Sequence, residues 1–237
     1  MHILAIDTAT TSCSAAILKE RVVLAEVTVN SGETHSRHLM DLVRTVTDRA
    51  GLTLSDVDGF AVTQGPGTFT GLRIGAAAVK GLALALDRPV AGVSSLEALA
   101  WQAAGTTGGN ICALLDARKS EVYYSQYRSV DGRLAPQGTE QVAAIETVLA
   151  SLDKVPVLFV GSGALLYKAL ILERLGDLAR FPLDFQHTLR AATVAWLGQK
   201  RLIRGDHPDV GAFLPRYLRK SDAELNLKKR PAAGRPA

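Results

Sequence analysis

Three short apolar runs separated by small polar turns open the chain: HILAIDT, SCSAAILK and VVLAEVTV. So few residues join them that they predict three strands paired antiparallel. The period then changes. In NSGETHSRHLMDLVRTVTDRAG, Leu39, Leu42, Val43 and Val46 recur at helical spacing and Gly51 ends the run, which predicts a helix. DGFAVTQG reads as a fourth strand, LRIGAAAVKGLALAL as a long helix, PVAGV as a fifth strand and SLEALAWQAAG as a further helix. GTTGGN is a glycine-rich break, and the pattern restarts beyond it. ICALLDA and EVYYSQYR predict strands, with a weaker third around Arg133. TEQVAAIETVLASL predicts a helix, VPVLFVG a strand, ALLYKALILERLG a helix and RAATVAWLGQKRLIRG a last helix. The second half repeats the order of elements without repeating the residues.

Two halves of this kind, each three antiparallel strands feeding a parallel extension, describe an α/β chain with the duplicated ribonuclease-H-like fold of actins, Hsp70 chaperones and sugar kinases. The expected division is an N-terminal ribonuclease-H-like domain over residues 1–104 and a reduced second one over 105–220, with its last helix able to pack back on the first. Residues 221–237 are expected to form a basic tail without fixed structure. In that arrangement the Asp-containing turn after the first strand of each half faces a nucleotide between the domains. Asp7 in IDTATTS and Asp116 in LLDARKSE occupy those places.

Composition changes this picture little. The 237 residues are 47% hydrophobic and 21% charged, which fits an ordinary globular chain with a sizeable core. Asp87 and Arg88 interrupt LALALDRPVAGV, which argues against a membrane span. MHILAIDTA has no basic stretch before its apolar run and reads as a strand, not a signal peptide. Cys13 and Cys112 stand alone in strand-like settings, as packing thiols in a reducing cytoplasm would. Lys and Arg number 27 against 23 Asp and Glu, an excess of +4. Lys228, Lys229, Arg230 and Arg235 of NLKKRPAAGRPA account for all of it, so the body is formally neutral. Such a tail solvates its terminus or touches RNA by charge alone.

The candidate chemistry is concentrated in a few turns. Asp7 and Thr8 enter a loop of small residues that a phosphate can approach, with Asp7 organising a magnesium-bound water; a hairpin turn bonding its own backbone is the plainer account. Asp116 beside Arg118, Lys119 and Ser120 admits the same two readings, and Gly161 and Gly163 of the GSG turn add a third nucleotide-facing candidate. TQGPGTFTGLRIG, Thr63 to Gly75, looks like a phosphate loop but lacks the GK[ST] ending of a P-loop. Gly65, Gly67 and Gly71 allow unusual backbone angles there and Pro66 stiffens the turn. The helix after it is apolar almost all round, broken only by Arg73 and Lys80, so it is covered by its own domain or by a partner. His35 and His38 lack a third ligand, and no metal site is expected. Ser94 and Ser95 lack a nucleophile elbow and fit a helix cap, with Glu97 near the third position.

IDTATTSCSAAIL, GPGTFTGLRIGAAAVKGLALAL, LDARKSEVYY and LPRYLRKSDAE, in that order, resemble the bacterial TsaB (YeaZ) family of tRNA threonylcarbamoyladenosine biosynthesis, once labelled glycoprotease-like. The resemblance covers nearly the whole chain apart from the tail. It implies a cytoplasmic, non-catalytic subunit with no membrane association. The subunit pairs with the larger paralogue TsaD, which transfers a threonylcarbamoyl group to N6 of the adenosine beside the tRNA anticodon. The ATPase TsaE joins the pair, and tRNA is met only indirectly. TsaD carries a VNHLEGH-type motif whose two histidines hold a metal; here Ser95 and Leu99 stand in their places. Leu39, Leu42, Val43 and Val46 with Leu72, Ala76, Val79 and Ala83 are the expected partner-binding residues. The over-apolar second helix motivates that set independently. No tightly bound cofactor is expected, with ATP or ADP possible at the complex interface. Two rivals stand beside this reading: a stand-alone ATP-dependent kinase or ATPase of the actin-like fold, and a homodimer using the same helix faces.

Overall fold

A computed structural model describes residues 1–32, 34–104 and 108–219. The first half comprises β1 (His2–Asp7), β2 (Cys13–Lys19), β3 (Val22–Val29), α1 (His35–Arg49), β4 (Gly59–Gly65), α2 (Phe69–Leu86), β5 (Val90–Ser94) and α3 (Ser95–Ala104). Its sheet runs β3-β2-β1-β4-β5, antiparallel among the first three strands and parallel from β1 to β4 to β5. The second half comprises β6 (Gly109–Arg118), β7 (Glu121–Val130), β8 (Arg133–Pro136), β9 (Gln141–Ala144), α4 (Ile145–Ala150), β10 (Val157–Val160), α5 (Ser162–Leu166), α6 (Lys168–Leu175), β11 (Ala179–Arg180) and α7 (Ala191–Ile203). Its sheet runs β11-β10-β6-β7-β8, with β9 also on β7. Reversed, that order matches the first sheet, so the duplicated ribonuclease-H-like α/β fold is the fold of this chain. The expected tail, 221–237, lies outside the described residues.

Two helices depart from the sequence pattern. The spacing of TEQVAAIETVLASL predicts a helix throughout, but Gln141–Ala144 pairs with Glu121–Tyr124 of β7 and the helix starts only at Ile145. Glu140 fixes the entry, accepting from the Ser94 hydroxyl and pairing with Arg216 at 3.4 Å. A free strand edge then outcompetes a helical propensity that is weak over so few residues. ALLYKALILERLG breaks into α5 and α6 at Tyr167, whose φ of −103° and ψ of 16° leave the helical region.

Both faces of the first sheet are covered, which is why its parallel-side strands read as unbroken apolar runs. Leu4, Ile6, Ala15, Ile17, Phe60 and Val62 face α1 and α2. Ile3, Ala5, Ala16, Ala61, Ala91 and Val93 face α3 and α7. The alternation along β1 follows from side chains pointing to opposite faces at successive positions. The last helix thus packs on the first sheet, and α3 lies between the two sheets. Polar ties hold this junction. Arg201 meets Glu97 at 2.6 Å, Arg190 pairs with Glu26, and Gln102 accepts from the Arg190 N–H at 3.0 Å. By length and composition α2 is apolar enough to cross a bilayer, with a mean hydropathy of 1.4. Its Gly71, Leu72, Gly75, Ala76, Val79 and Ala83 stripe is buried on the sheet instead.

Candidate functional site between the two halves

The first Asp turn is closed. Asp7 and Thr8 are fully buried. The Thr8 hydroxyl donates to the Gly71 carbonyl at 2.7 Å, and the Thr68 N–H donates to the Ala9 carbonyl at 2.8 Å. Both bonds clamp the start of α2 onto the turn. Glycine is required for that approach: a methyl on Gly71 would overlap the Thr8 carbonyl, and one on Gly75 would overlap the Thr8 hydroxyl. Thr68 caps α2, accepting from the Gly71 N–H at 3.3 Å. The glycines of GPGTFTG therefore serve close packing.

One Asp7 oxygen accepts from the Thr63 hydroxyl at 2.8 Å and the Ala9 N–H at 3.1 Å, while Oδ2 is buried without a hydrogen-bond partner. Burial pushes its pKa up to about 7, against the opposing pull of those two hydrogen bonds. The expectation that Asp7 and Thr8 face a nucleotide is corrected on this geometry, because no solvent-facing atom of either is left to meet one.

The second Asp turn is open. Asp116 is exposed, accepts from the Arg118 N–H at 2.7 Å, and lines a cleft of about 390 Å³ between the halves. Pro66, Gly67, Thr68 and Phe69 form the opposite wall. Arg118, Lys119 and Ser120 turn through positive φ of 56° to 61°, a compact reversal that leaves their side chains outside. Gly161 and Gly163 do not share that exposure. Both are buried against Leu114 and Leu115 of β6, so their nucleotide-facing role is also corrected. Ser162 between them does reach the turn, accepting from the Asp116 N–H at 3.3 Å. Behind it the Gly161 N–H donates to His187 Nδ1 at 3.1 Å, and burial lowers the His187 pKa.

A feature that sequence reasoning missed crosses the cleft mouth. Phe213 is buried in the first domain, and the chain then runs from Leu214 to Arg219 along the cleft. The Gln64 side chain donates to the Leu214 carbonyl at 2.8 Å, and the Arg216 N–H donates to the Gln64 carbonyl at 2.7 Å. Tyr217 lies 4.8 Å from the Phe69 ring and accepts from Arg73 Nε at 3.1 Å. Arg219 reaches across to Glu121 of β7 at 2.8 Å. Lys80 donates to the Gly211 and Phe213 carbonyls at 2.8 and 3.2 Å. Arg73 and Lys80, the polar breaks in α2, are thus clamps for the C-terminal segment. LPRYLR carried that signal only as part of a family likeness.

The eight expected partner-binding residues need correction as well. Leu39, Leu42, Val43, Val46, Leu72, Ala76, Val79 and Ala83 are all buried within this chain. They are the inward stripe of α1 and α2, because helical periodicity marks the face that meets the sheet first. The outward stripe of α2 is Ala77, Gly81, Leu84 and Ala85, with Met40 exposed on α1. Ser94 caps α3 by accepting from the Glu97 N–H at 3.1 Å, while Ser95 and Leu99 are buried. His35 Nε2 bonds the Thr10 carbonyl at 2.8 Å. Among the described residues no three His, Cys, Asp or Glu side chains are grouped to hold a metal.

Known proteins match this architecture closely. A Bacillus subtilis protein, tRNA threonylcarbamoyladenosine biosynthesis protein TsaB, is 34% identical over 227 residues, covering 94% of this chain and 96% of its own length. The chain belongs to the TsaB family. The family model for TsaD, tRNA N6-adenosine threonylcarbamoyltransferase, matches residues 23–227. The solved YeaZ structure from Pseudomonas aeruginosa superposes with a TM-score of 0.79 at 34% identity, over 92% of this chain and 99% of that one. The activator of 2-hydroxyisocaproyl-CoA dehydratase from Clostridium difficile, solved with ADPNP, superposes at 0.52 and 13% identity over 88% of this chain and 99% of its own. That last likeness establishes the shared fold alone.

Proposed function

We propose that this TsaB chain is the non-catalytic subunit that binds and activates TsaD for threonylcarbamoyl transfer to N6 of tRNA adenosine. The closed first turn carries the reading. A chain of this fold that turned over ATP by itself needs the first-turn aspartate open to metal and phosphate, and here Asp7 lies under α2 without exposed surface. Ser95 and Leu99, both buried, likewise offer no imidazole to a metal. The stand-alone kinase or ATPase alternative is disfavoured by the first of these observations, and a TsaD-type metal catalyst by the second.

The docking face in this reading is the outer stripe of α1 and α2. Leu84 is 63% exposed and Met40 50% exposed, and Ala77, Gly81 and Ala85 between them let a partner helix approach closely. TsaE joins the pair afterwards, and a homodimer through this face is the expected state when TsaD is absent. No tightly held cofactor belongs to the chain. ATP or ADP would be met at the boundary with TsaD, where the cleft beside the first turn of α2 offers Arg118, Arg216 and Arg219 to its phosphates. The cytoplasm is the compartment where such a complex meets tRNA.

The test is reconstituted transfer to tRNA with purified TsaD, TsaE, the adenylate-forming enzyme, threonine, bicarbonate and ATP. Product formed only when this chain is added supports the reading, and equal product without it sinks it. Leu84→Asp is expected to abolish co-elution with TsaD on size exclusion without changing the melting temperature. Retained co-elution would move the docking face elsewhere.

A further inference from the structure

The face of the first sheet opposite α1 and α2 carries a second, unassigned surface. Trp101 at the end of α3 and Trp196 in α7 meet edge to face, ring centroids 4.8 Å apart at 73°. Both are only partly buried, and they line a cleft of about 470 Å³ together with Arg21 and Val23. Lys200, one helical turn beyond Trp196, holds its ammonium 3.3 Å from the Trp196 ring centroid and 5.1 Å from that of Trp101. Arg204 lies one turn further on and is exposed, as is Arg21. Among the described residues none of these three cations is in a salt bridge. Desolvation, then the Arg204 and Arg21 charges, lower the Lys200 pKa against the opposing pull of Glu97. The nearby carboxylate, Glu97, already pairs with Arg201.

Two indole rings with Arg21 in the cleft wall and Lys200 and Arg204 beside it, none of them ion-paired among the described residues, match a planar base attached to a phosphate. A purely apolar partner segment would leave Arg21, Lys200 and Arg204 uncompensated, and a bare polyanion would not use the rings. We infer that the Trp101–Trp196 cleft is a stacking site for an unpaired nucleotide of RNA, with Arg21, Lys200 and Arg204 on the flanking phosphates. The Lys200 ammonium now covers the ring face a base would take. Its flexible stem lets it swing outward to a phosphate when the base enters. The site deepens the tRNA-modification reading by giving this subunit a direct contact with the substrate RNA, and it rests on that reading for the identity of the RNA.

The sequence supplies a clean reporter, because these are the only two tryptophans in the chain. The full chain is titrated with a short single-stranded RNA of mixed sequence, with the same RNA as a duplex, and with polyphosphate, while intrinsic tryptophan emission is recorded. Saturable quenching by the single strand, weakened by added salt and well below that level with duplex or polyphosphate, is the expected result. Anisotropy of labelled RNA should show about tenfold weaker binding for Trp196→Leu, near-normal binding for Trp196→Phe, and a shallower salt dependence for Lys200→Gln. Equal binding of polyphosphate, or full affinity in Trp196→Leu, overturns the stacking site. So does RNA binding that leaves the emission unchanged, which is the signature of the basic tail acting alone. Emission that ignores RNA but shifts when TsaD is added overturns it in favour of a protein contact. Co-elution with TsaD is measured on the same samples. Assembly without RNA quenching removes this inference and leaves the proposed function standing; RNA quenching without assembly does the reverse.

Discussion

The two Asp turns hold the same place in the two halves of the fold, at the end of the central strand, yet they end in opposite states. Asp7 is sealed beneath α2, one of its oxygens unpartnered, with a pKa pushed up to about 7. Asp116 stands in solvent at the edge of an open cleft. The difference lies in the helix that each half places after its parallel strand. After β4, Gly67, Gly71 and Gly75 let a long helix descend onto the turn. After β10, Gly161 and Gly163 bring α5 against the middle of β6 instead, and the turn beyond is left uncovered. A duplicated fold therefore preserves a site's position without preserving its access, and access decides whether chemistry is possible.

The comparison is broken most severely by filling the closed turn. Gly71→Val would drive a branched side chain into Thr8 and Thr68, at a cost of about 3 kcal/mol or more. The same bulk added at the open turn, Ser120→Val, removes no packing, and a difference of only about 1 kcal/mol is expected, mainly from its positive φ. Chemical denaturation of both variants checks the contrast, and similar losses would mean that the first turn is not closed in solution.

The second test is pH. Because Asp7 titrates higher in the folded chain than in the unfolded one, the folded state binds the extra proton. Its contribution to stability is whole below pH 4 and is lost as pH rises to about 7, on the order of 4 kcal/mol in all. Asp7→Asn should remove that part of the slope, so the variant gains on the parent between pH 5 and pH 8 in paired thermal melts. Parallel melting curves across that range would refute the buried charge.

The cleft itself gives the third. Phe213→Ala should release the C-terminal segment and cost about 3 kcal/mol, because a fully buried ring is lost from the first core. Arg219→Ala, at the far end of the same segment, removes a single partly exposed ion pair and should cost under about 1 kcal/mol. The smallest effect concerns the thiols. Cys13 and Cys112 lie one in each half, and burial pushes both up to about 12. Neither should react with a thiol reagent at pH 8 until the chain unfolds, and rapid labelling of one alone would identify the looser half.

Much of this architecture was legible in the residues. The alternation and runs of HILAIDT, SCSAAILK and VVLAEVTV dictated the antiparallel start. The helical spacing of Leu39, Leu42, Val43 and Val46 dictated α1, and the break at GTTGGN marked where the second sheet begins. Local periodicity reports which positions are apolar, and it does so reliably wherever one element faces one core. It failed at Gln141–Ala144, where a vacant edge on β7 outweighed local propensity, and at Tyr167, where two short helices share one apolar run.

The candidate site was legible only as a set of residues. The sequence by itself determined the duplicated order of elements, the two aspartates after the two central strands, and a second helix with too few polar positions to stand alone. Tertiary structure alone decided which aspartate is reachable, because access depends on where α2 and α5 descend and that depends on contacts between residues about sixty positions apart, such as Thr8 with Gly71. It also decided that the strongest apolar stripe of α1 and α2 faces inward, leaving the fainter row of Ala77, Gly81 and Leu84 outside. And it alone brought Trp101 and Trp196, distant in the chain, to one cleft. Periodicity says that a face is buried; only the packed molecule says against what.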